Sequence, residues 1–198
     1  ESATHVIVDE VHERSVDSDF LLECLRRVLV QRPDLKVVLM SATMDESAFT
    51  RYFSPAPPVL RIPGFTYDVS VSYLEEALIN SRYFTRGTER LELDKRVELL
   101  AEKLPDFDLV GAVVRYAIDD MDASEAMNPP KDGVRGSVLV FCSGVAEISK
   151  ASRAISDACG ERAYVLPLHG ALSNQDQRRV FHPVPARELS RFGARKVI

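Results

Sequence analysis

Three observations predict an α/β fold with parallel sheets in three layers. Short β-branched runs (Val6-Ile7-Val8, Val37-Val38-Leu39-Met40 and Val138-Leu139-Val140-Phe141) alternate with segments whose apolar residues recur at helical spacing. Strand–helix–strand order with right-handed crossovers sets such runs side by side as parallel strands buried on both faces. The runs also end abruptly in small or charged residues, as strands do where their C-terminal ends open on a crevice.

The elements follow in order. After the first strand, Phe20, Leu21, Leu25, Val28 and Leu29 mark one helical face, capped by Ser15 or Asp17 and ending before Pro33. Beyond the strand at Val37, Ala48, Phe49, Tyr52 and Phe53 mark a short helix stopped by Pro55, Pro57 and Pro58. Val59 to Ile62 reads as a strand. Tyr67, Val69, Val71 and Tyr73 alternate with Asp68, Ser70 and Ser72, which predicts a half-exposed strand crossing into a second domain. Residues 75–108 are acidic and weakly patterned, helix or loop, with helical character around Val97 to Leu104. Val110, Val113, Val114, Ala117, Ile118 and Met121 then give the cleanest amphipathic helix of the chain. Asp122 to Gly136, with Pro129, Pro130, Gly133 and Gly136, reads as a surface loop. The second α/β unit has a strand at Val138, a helix striped by Val145, Ile148, Ala151 and Ile155, and a strand from Tyr164 to Leu168. A helix capped by Ser173 with Asp176 three residues on follows, and a last strand begins at Lys196.

Composition suits a soluble intracellular fragment, and the cytoplasm is the expected compartment in preference to the nucleus. Of the 198 residues 45% are hydrophobic and 28% charged, enough for one or two compact domains. No apolar run approaches the ~18 residues that span a membrane, and no membrane partner is expected. Cys24, Cys142 and Cys159 are odd in number and far apart, and read as buried reduced thiols. The net charge of −5 hides an asymmetry. Residues 137–198 carry nine Lys and Arg against five Asp and Glu, and Arg178, Arg179, Arg187, Arg191, Arg195 and Lys196 are opposed in their stretch only by Glu188. That face suits either a polyanion or simply water.

The chemistry gathers at two strand ends. The first run ends in Asp9-Glu10-Val11-His12-Glu13-Arg14. One carboxylate there can hold hydrated Mg²⁺ while its neighbour orients and deprotonates a water attacking a phosphoryl group. The second run ends in Ser41-Ala42-Thr43, whose hydroxyls would lie beside those carboxylates along one crevice. Taken singly, each feature also reads as a cap for the helix behind it.

Together with Ile62-Pro63-Gly64-Phe65-Thr66-Tyr67, these two motifs resemble DEAH/DExH-box (RNA helicase A-type) ATP-dependent RNA helicases of superfamily two. Val11 in the box, with Ser15 to Leu22 behind it, is similar to the large multidomain DExH branch linked to translation and RNA metabolism. The resemblance begins at the family's second motif and stops at the strand leading into the fifth. It implies two partial RecA-like, P-loop NTPase-type domains. Residues 1–66 would be the C-terminal half of the ATP-binding domain, 67–108 a crossing strand and connector, and 109–198 the N-terminal part of the second domain.

The resemblance also assigns roles. Asp9 would bind Mg²⁺ largely through water, with Glu10 beside it, and Glu10 would serve as base. His12, Ser41 and Thr43 would relay the nucleotide state, and Arg14 would brace the loop through a carboxylate or carbonyl. Phe141 to Ile148 resembles the fourth motif, and Leu166 to Leu172 the adjacent small-residue segment. Backbone groups at Ser143, Gly144, Gly170 and Ala171 would meet an RNA phosphate. Ser143 and Val145 depart from the usual Pro-Gly-Gln, and Gly170 and Ala171 lack the hydroxyls often found there. Pro185 to Gly193 looks a few residues longer than the family pattern.

ATP and Mg²⁺ are thus implied as substrate and cofactor, and RNA, with the ribosome or a ribonucleoprotein, as partner. No G-x-x-x-x-G-K-[ST] phosphate loop occurs in these residues, nor the arginine-rich sixth motif, so the 198 residues alone are expected not to turn over ATP. The competing expectation is a non-catalytic RNA- or ribosome-binding scaffold that kept the fold.

Overall fold

The computed structural model describes residues 3–42, 46–64, 67–85, 87–130 and 133–198. Thr43, Phe65 and Thr66, singled out above, lie outside the described residues. The chain divides into two compact units, Glu1–Asp68 and Val69–Ile198.

In the first unit, β1 (His5–Val8) pairs in parallel with β2 (Lys36–Leu39), in the register Val6 to Val37 and Val8 to Leu39. The crossover is α1 (Val16–Gln31), whose N-cap Ser15 accepts a hydrogen bond from the Ser18 N–H at 3.1 Å. A short α2 (Glu46–Tyr52) follows. Period-two alternation turns Val6, Val8, Val37 and Leu39 toward Leu25 of α1 and Phe49 of α2, with Val11 beneath them. Tyr52 of α2 donates to Glu23 of α1, which also takes Arg26 and Arg27, and this combination holds the Glu23 carboxyl down at about 2.

The predicted burial of the first strand on both faces is corrected here. Ile7 is 63% exposed and Val38 45%, because among the described residues the helices cover one face of the sheet. The strand expected at Val59 to Ile62 and the alternating one from Tyr67 to Tyr73 form no ladder among the described residues, and most of their apolar side chains are exposed. Alternation marks a chain suited to a sheet edge, but a strand forms only where an edge accepts its hydrogen bonds.

The second unit is built on α5 (Phe107–Met127), opened by Asp106, whose side chain accepts from the Leu109 N–H. One face of α5 packs Leu109 against Leu78 of α3 (Leu74–Ser81) and Leu100 of α4 (Leu93–Ala101), so the weakly patterned acidic stretch forms two helices. The other face packs Val114 and Ile118 against Ala151 and Ile155 of α6 (Val145–Cys159). Gly111 makes this crossing possible: a Cβ there would sit 2.7 Å from the Ala154 carbonyl oxygen.

Beneath the helices, β3 (Ala163–Val165) and β4 (Arg195–Val197) pair in parallel. The expected strand at Val138 to Phe141 is reduced to one parallel bridge, Val138 to Val197, extended by the Val140 N–H donating to the Ile198 carbonyl at 2.8 Å. Leu139 and Phe141 stay exposed, so the expected third layer is incomplete among the described residues. Ser173 caps α7 (Asn174–Arg178) by accepting from the Asp176 N–H, as the capping pattern predicts. The long stretch at Pro185 is a short helix, α8 (Ala186–Phe192), closed by left-handed Gly193. No described helix is long and apolar enough to cross a membrane, and Cys24, read as buried, is exposed.

The loop expected from Asp122 onward is also corrected. Helix α5 runs on to Met127, with Asp122 and Glu125 half-buried against the buried Arg195. The Arg195 side chain is fully buried and donates to Asp122, to both oxygens of Glu125 and to the Gly136 carbonyl. Arg135 and Arg162 complete the network, Arg135 also reaching the Gly193 carbonyl at 2.7 Å. Arg195 is thus removed from the basic face read in the sequence. So is Lys196, whose ammonium donates to the Val180 and His182 carbonyls at 2.7 Å.

Candidate functional site

The site grows out of the end of β1. Val8 is the last buried strand residue, and the chain then reverses through a 3₁₀ turn over Val11–Glu13 before α1 begins. Glu10 (φ 53°, ψ 36°) and Arg14 (φ 50°, ψ 39°) flank that turn, and both are in the left-handed region. Side chains with a Cβ avoid this region unless the surroundings hold them there, and such strain gathers at working sites. Val11, 1% exposed, is the anchor between them, and its N–H donates to the Met40 carbonyl at 3.1 Å, just past β2. The Met40 N–H in turn donates to the Val8 carbonyl at 2.8 Å, so the ends of the two strands are laced together.

This lacing brings Asp9, Glu10, His12 and Ser41 to one sheet edge, as the strand order requires, with Asp9, Glu10 and Ser41 exposed. The Glu10 N–H donates to Asp9 Oδ1 at 2.8 Å and ties down the exposed Asp9 carboxylate. His12 Nδ1 lies 3.3 Å from Glu10 Oε2, an ion-pair distance, but the approach is not that of a hydrogen bond. That nitrogen is buried without a hydrogen-bond partner among the described residues, an arrangement that calls for an explanation. Arg14 is bound by Asp19, Nε to Oδ1 and Nη2 to Oδ2, both at 2.8 Å. The carboxylate brace expected for Arg14 therefore has a definite partner. Asp19 itself was missed, because a first-turn acid on a helix reads as ordinary complementation of the helix dipole.

The donor set suits Mg²⁺. Hard carboxylate oxygens face solvent at Asp9 and Glu10, and no group of three metal-ligating side chains exists among the described residues. Mg²⁺ keeps several waters and takes one or two carboxylates plus substrate phosphates, and Asp9 and Glu10 are two adjacent exposed carboxylates.

The second predicted cluster lies in the second unit. Gly144 is the extended N-cap of α6, exposed, with open space where a Cβ would stand. The Ser143 N–H, read as free to meet a phosphate, instead donates to Glu147 Oε2 at 2.9 Å, and the Ser143 hydroxyl and N–H hold the Glu147 carboxyl below its ordinary range. Gly170 and Ala171 lie exposed in the turn closed by the Leu172 N–H on the His169 carbonyl. Ser143 and Gly144 precede α6, while Gly170 and Ala171 precede α7.

No protein-family model matches the chain. A putative DEAH-box ATP-dependent helicase of Mycosarcoma maydis is 38% identical over 226 residues, covering 98% of this chain and 14% of its own length. The probable ATP-dependent RNA helicase DHX34 of Mus musculus is 40% identical over 196 residues, again 98% of this chain and 14% of its own. Among solved structures, the Escherichia coli DEAH/RHA helicase HrpB superposes with a TM-score of 0.60 at 29% identity, over 98% of this chain and 19% of that one. The chain thus spans about a seventh of the length of these two curated relatives. Motifs, fold and relatives agree: over nearly its whole length the chain is similar to DEAH/DExH-box helicases, of which it spans a small part.

Proposed function

We propose that these residues are part of an ATP-dependent RNA helicase that couples ATP hydrolysis to RNA unwinding or ribonucleoprotein remodelling. One observation carries the reading: Asp9 and Glu10 stand at the end of β1, Glu10 with left-handed backbone opening the 3₁₀ turn, laced to the end of β2 beside Ser41. Asp9 is assigned to hold Mg²⁺, largely through water, which when bound supplies positive charge against the β- and γ-phosphates. Glu10 orients the attacking water and takes its proton. His12, its buried Nδ1 3.3 Å from Glu10 Oε2, relays the state of the site with the Ser41 and Thr43 hydroxyls. Residues 1–66 and 109–198 are read as partial RecA-like domains, joined through 67–108. RNA phosphates are assigned to the turns at Ser143–Gly144 and Gly170–Ala171, with Glu147 moving aside to free the Ser143 N–H. A cytoplasmic setting and a ribosomal or ribonucleoprotein partner belong to the same reading.

Strand displacement on a short RNA duplex tests the coupling. Ser41→Ala with Thr43→Ala removes two hydroxyls and keeps the carboxylates. In the full-length protein this variant should lose unwinding more than hydrolysis, with the ratio of the two rates falling by about fivefold or more, the scale of an ordinary coupling energy. Equal loss of both would confine the hydroxyls to a local role at the metal.

A further inference from the structure

We propose that Asp19 is a positioning residue for ATP hydrolysis, acting through Arg14 on the turn that carries Glu10; the inference rests on the functional reading above. The turn has two ends, each a non-glycine residue in the left-handed region. The Glu10 end is held from within: Val11 is buried and bonded to Met40, and the Glu10 N–H is bonded to Asp9. At the Arg14 end both sequence neighbours, Glu13 and Ser15, are exposed. The Arg14 side chain is tied by the parallel two-bond fork to Asp19, a geometry that fixes the orientation of both groups as well as their distance.

Asp19 is in turn fixed by α1. Its N–H donates to the Ser15 carbonyl at 2.9 Å, and Ser15 caps the helix through the Ser18 N–H. The chain of support therefore runs from the helix cap to Asp19, to Arg14, and back through the three-residue turn Val11–Glu13 to Glu10. The pair itself is half in water, 59% exposed at Arg14 and 39% at Asp19. Exposed ion pairs add little to global stability. What this one contributes is local: without the fork Arg14 is free to leave the left-handed region, and the short turn re-aims the base. A small misplacement of a reacting group is costly in rate even where binding survives.

The test uses the full-length protein with ATP and a saturating RNA, comparing wild type, Asp19→Asn, Asp19→Glu and Glu10→Gln. Asp19→Asn keeps the shape but halves the acceptors, and should lower kcat about tenfold with KM for ATP within about twofold. Its melting temperature should stay within about 2 °C of wild type, as an exposed pair implies. Asp19→Glu can rebuild the fork and should recover most of kcat. Unchanged kcat in Asp19→Asn, a rise in KM alone, or a rate loss that tracks lost stability without rescue by Asp19→Glu would each overturn the proposal. An unimpaired Glu10→Gln would instead remove the functional reading on which it rests, so the two failures are separable.

Discussion

Glu10→Gln in the full-length protein should cut ATP turnover by about 10²-fold or more while the Kd for Mg²⁺–ATP changes by less than about threefold, because the amide keeps the shape of the side chain and loses the base. The structure makes this substitution unusually clean. The Glu10 side chain is 55% exposed, and its Oε2 lies 3.3 Å from His12 Nδ1, a position that the isosteric amide of Gln also fills. Its backbone hold comes from the Asp9 side chain and from Val11, neither of which the change touches. A turnover assay paired with equilibrium binding of ATP reads the two effects separately. Binding lost together with turnover would mean that Glu10 holds the nucleotide; turnover unchanged would remove it from the chemistry.

Arg195→Met should destabilise the second unit by roughly 3 kcal/mol, the low end of what removing one partner from a buried ion pair costs. The substitution fits the volume but leaves Asp122 and Glu125 with Arg135 and Arg162 alone, both part-exposed. The penalty should depend on pH. The Arg195 hydrogen bonds, against some desolvation, hold the Glu125 carboxyl at about 2 from an ordinary 4.5. Burial pushes Asp122 up, but hydrogen bonds from Arg195 and Arg162 and the charge of Arg135 leave it lowered. A carboxyl depressed in the folded state stabilises above its unfolded pKa and loses that contribution as pH falls through the folded one. The difference in stability between wild type and variant should therefore be full near pH 6 and shrink from about pH 4.5 toward 2. Urea unfolding at several pH values measures it; a difference that does not change over that range would mean that Arg195 acts by packing.

These arginines also mark where reading the residues succeeds and where it stops. The apolar runs at Val6 and Val37 announce strands because β-branched side chains at period two have few alternatives, and the Asp9–Glu10 turn follows from the end of the run. The stripe from Val110 to Met121 is legible as a helix for the same reason, its apolar face being continuous. The next six residues are not, because Asp122 and Glu125 look solvated until Arg135, Arg162 and Arg195 return to them from 10 to 73 residues away. Charge counted along the chain cannot tell a cation in water from one in a buried network, so Arg195 and Lys196 were read as surface. At the site, Asp9, Glu10, His12 and Ser41 could be placed by strand order alone. The left-handed backbone at Glu10 and Arg14, and the Asp19 fork that holds one end, depend on three-dimensional contacts that no spacing records.

The most direct measurement is RNA-stimulated ATP hydrolysis by three proteins side by side: the full-length chain, its Asp9→Ala variant, and residues 1–198 alone. Asp9 is the carboxylate assigned to Mg²⁺, and the 198 residues contain no phosphate-loop motif. Turnover stimulated by RNA in the full-length protein, and absent from the other two, is the result the account predicts. Turnover that survives Asp9→Ala would place the metal, and with it the reaction, somewhere other than the end of β1.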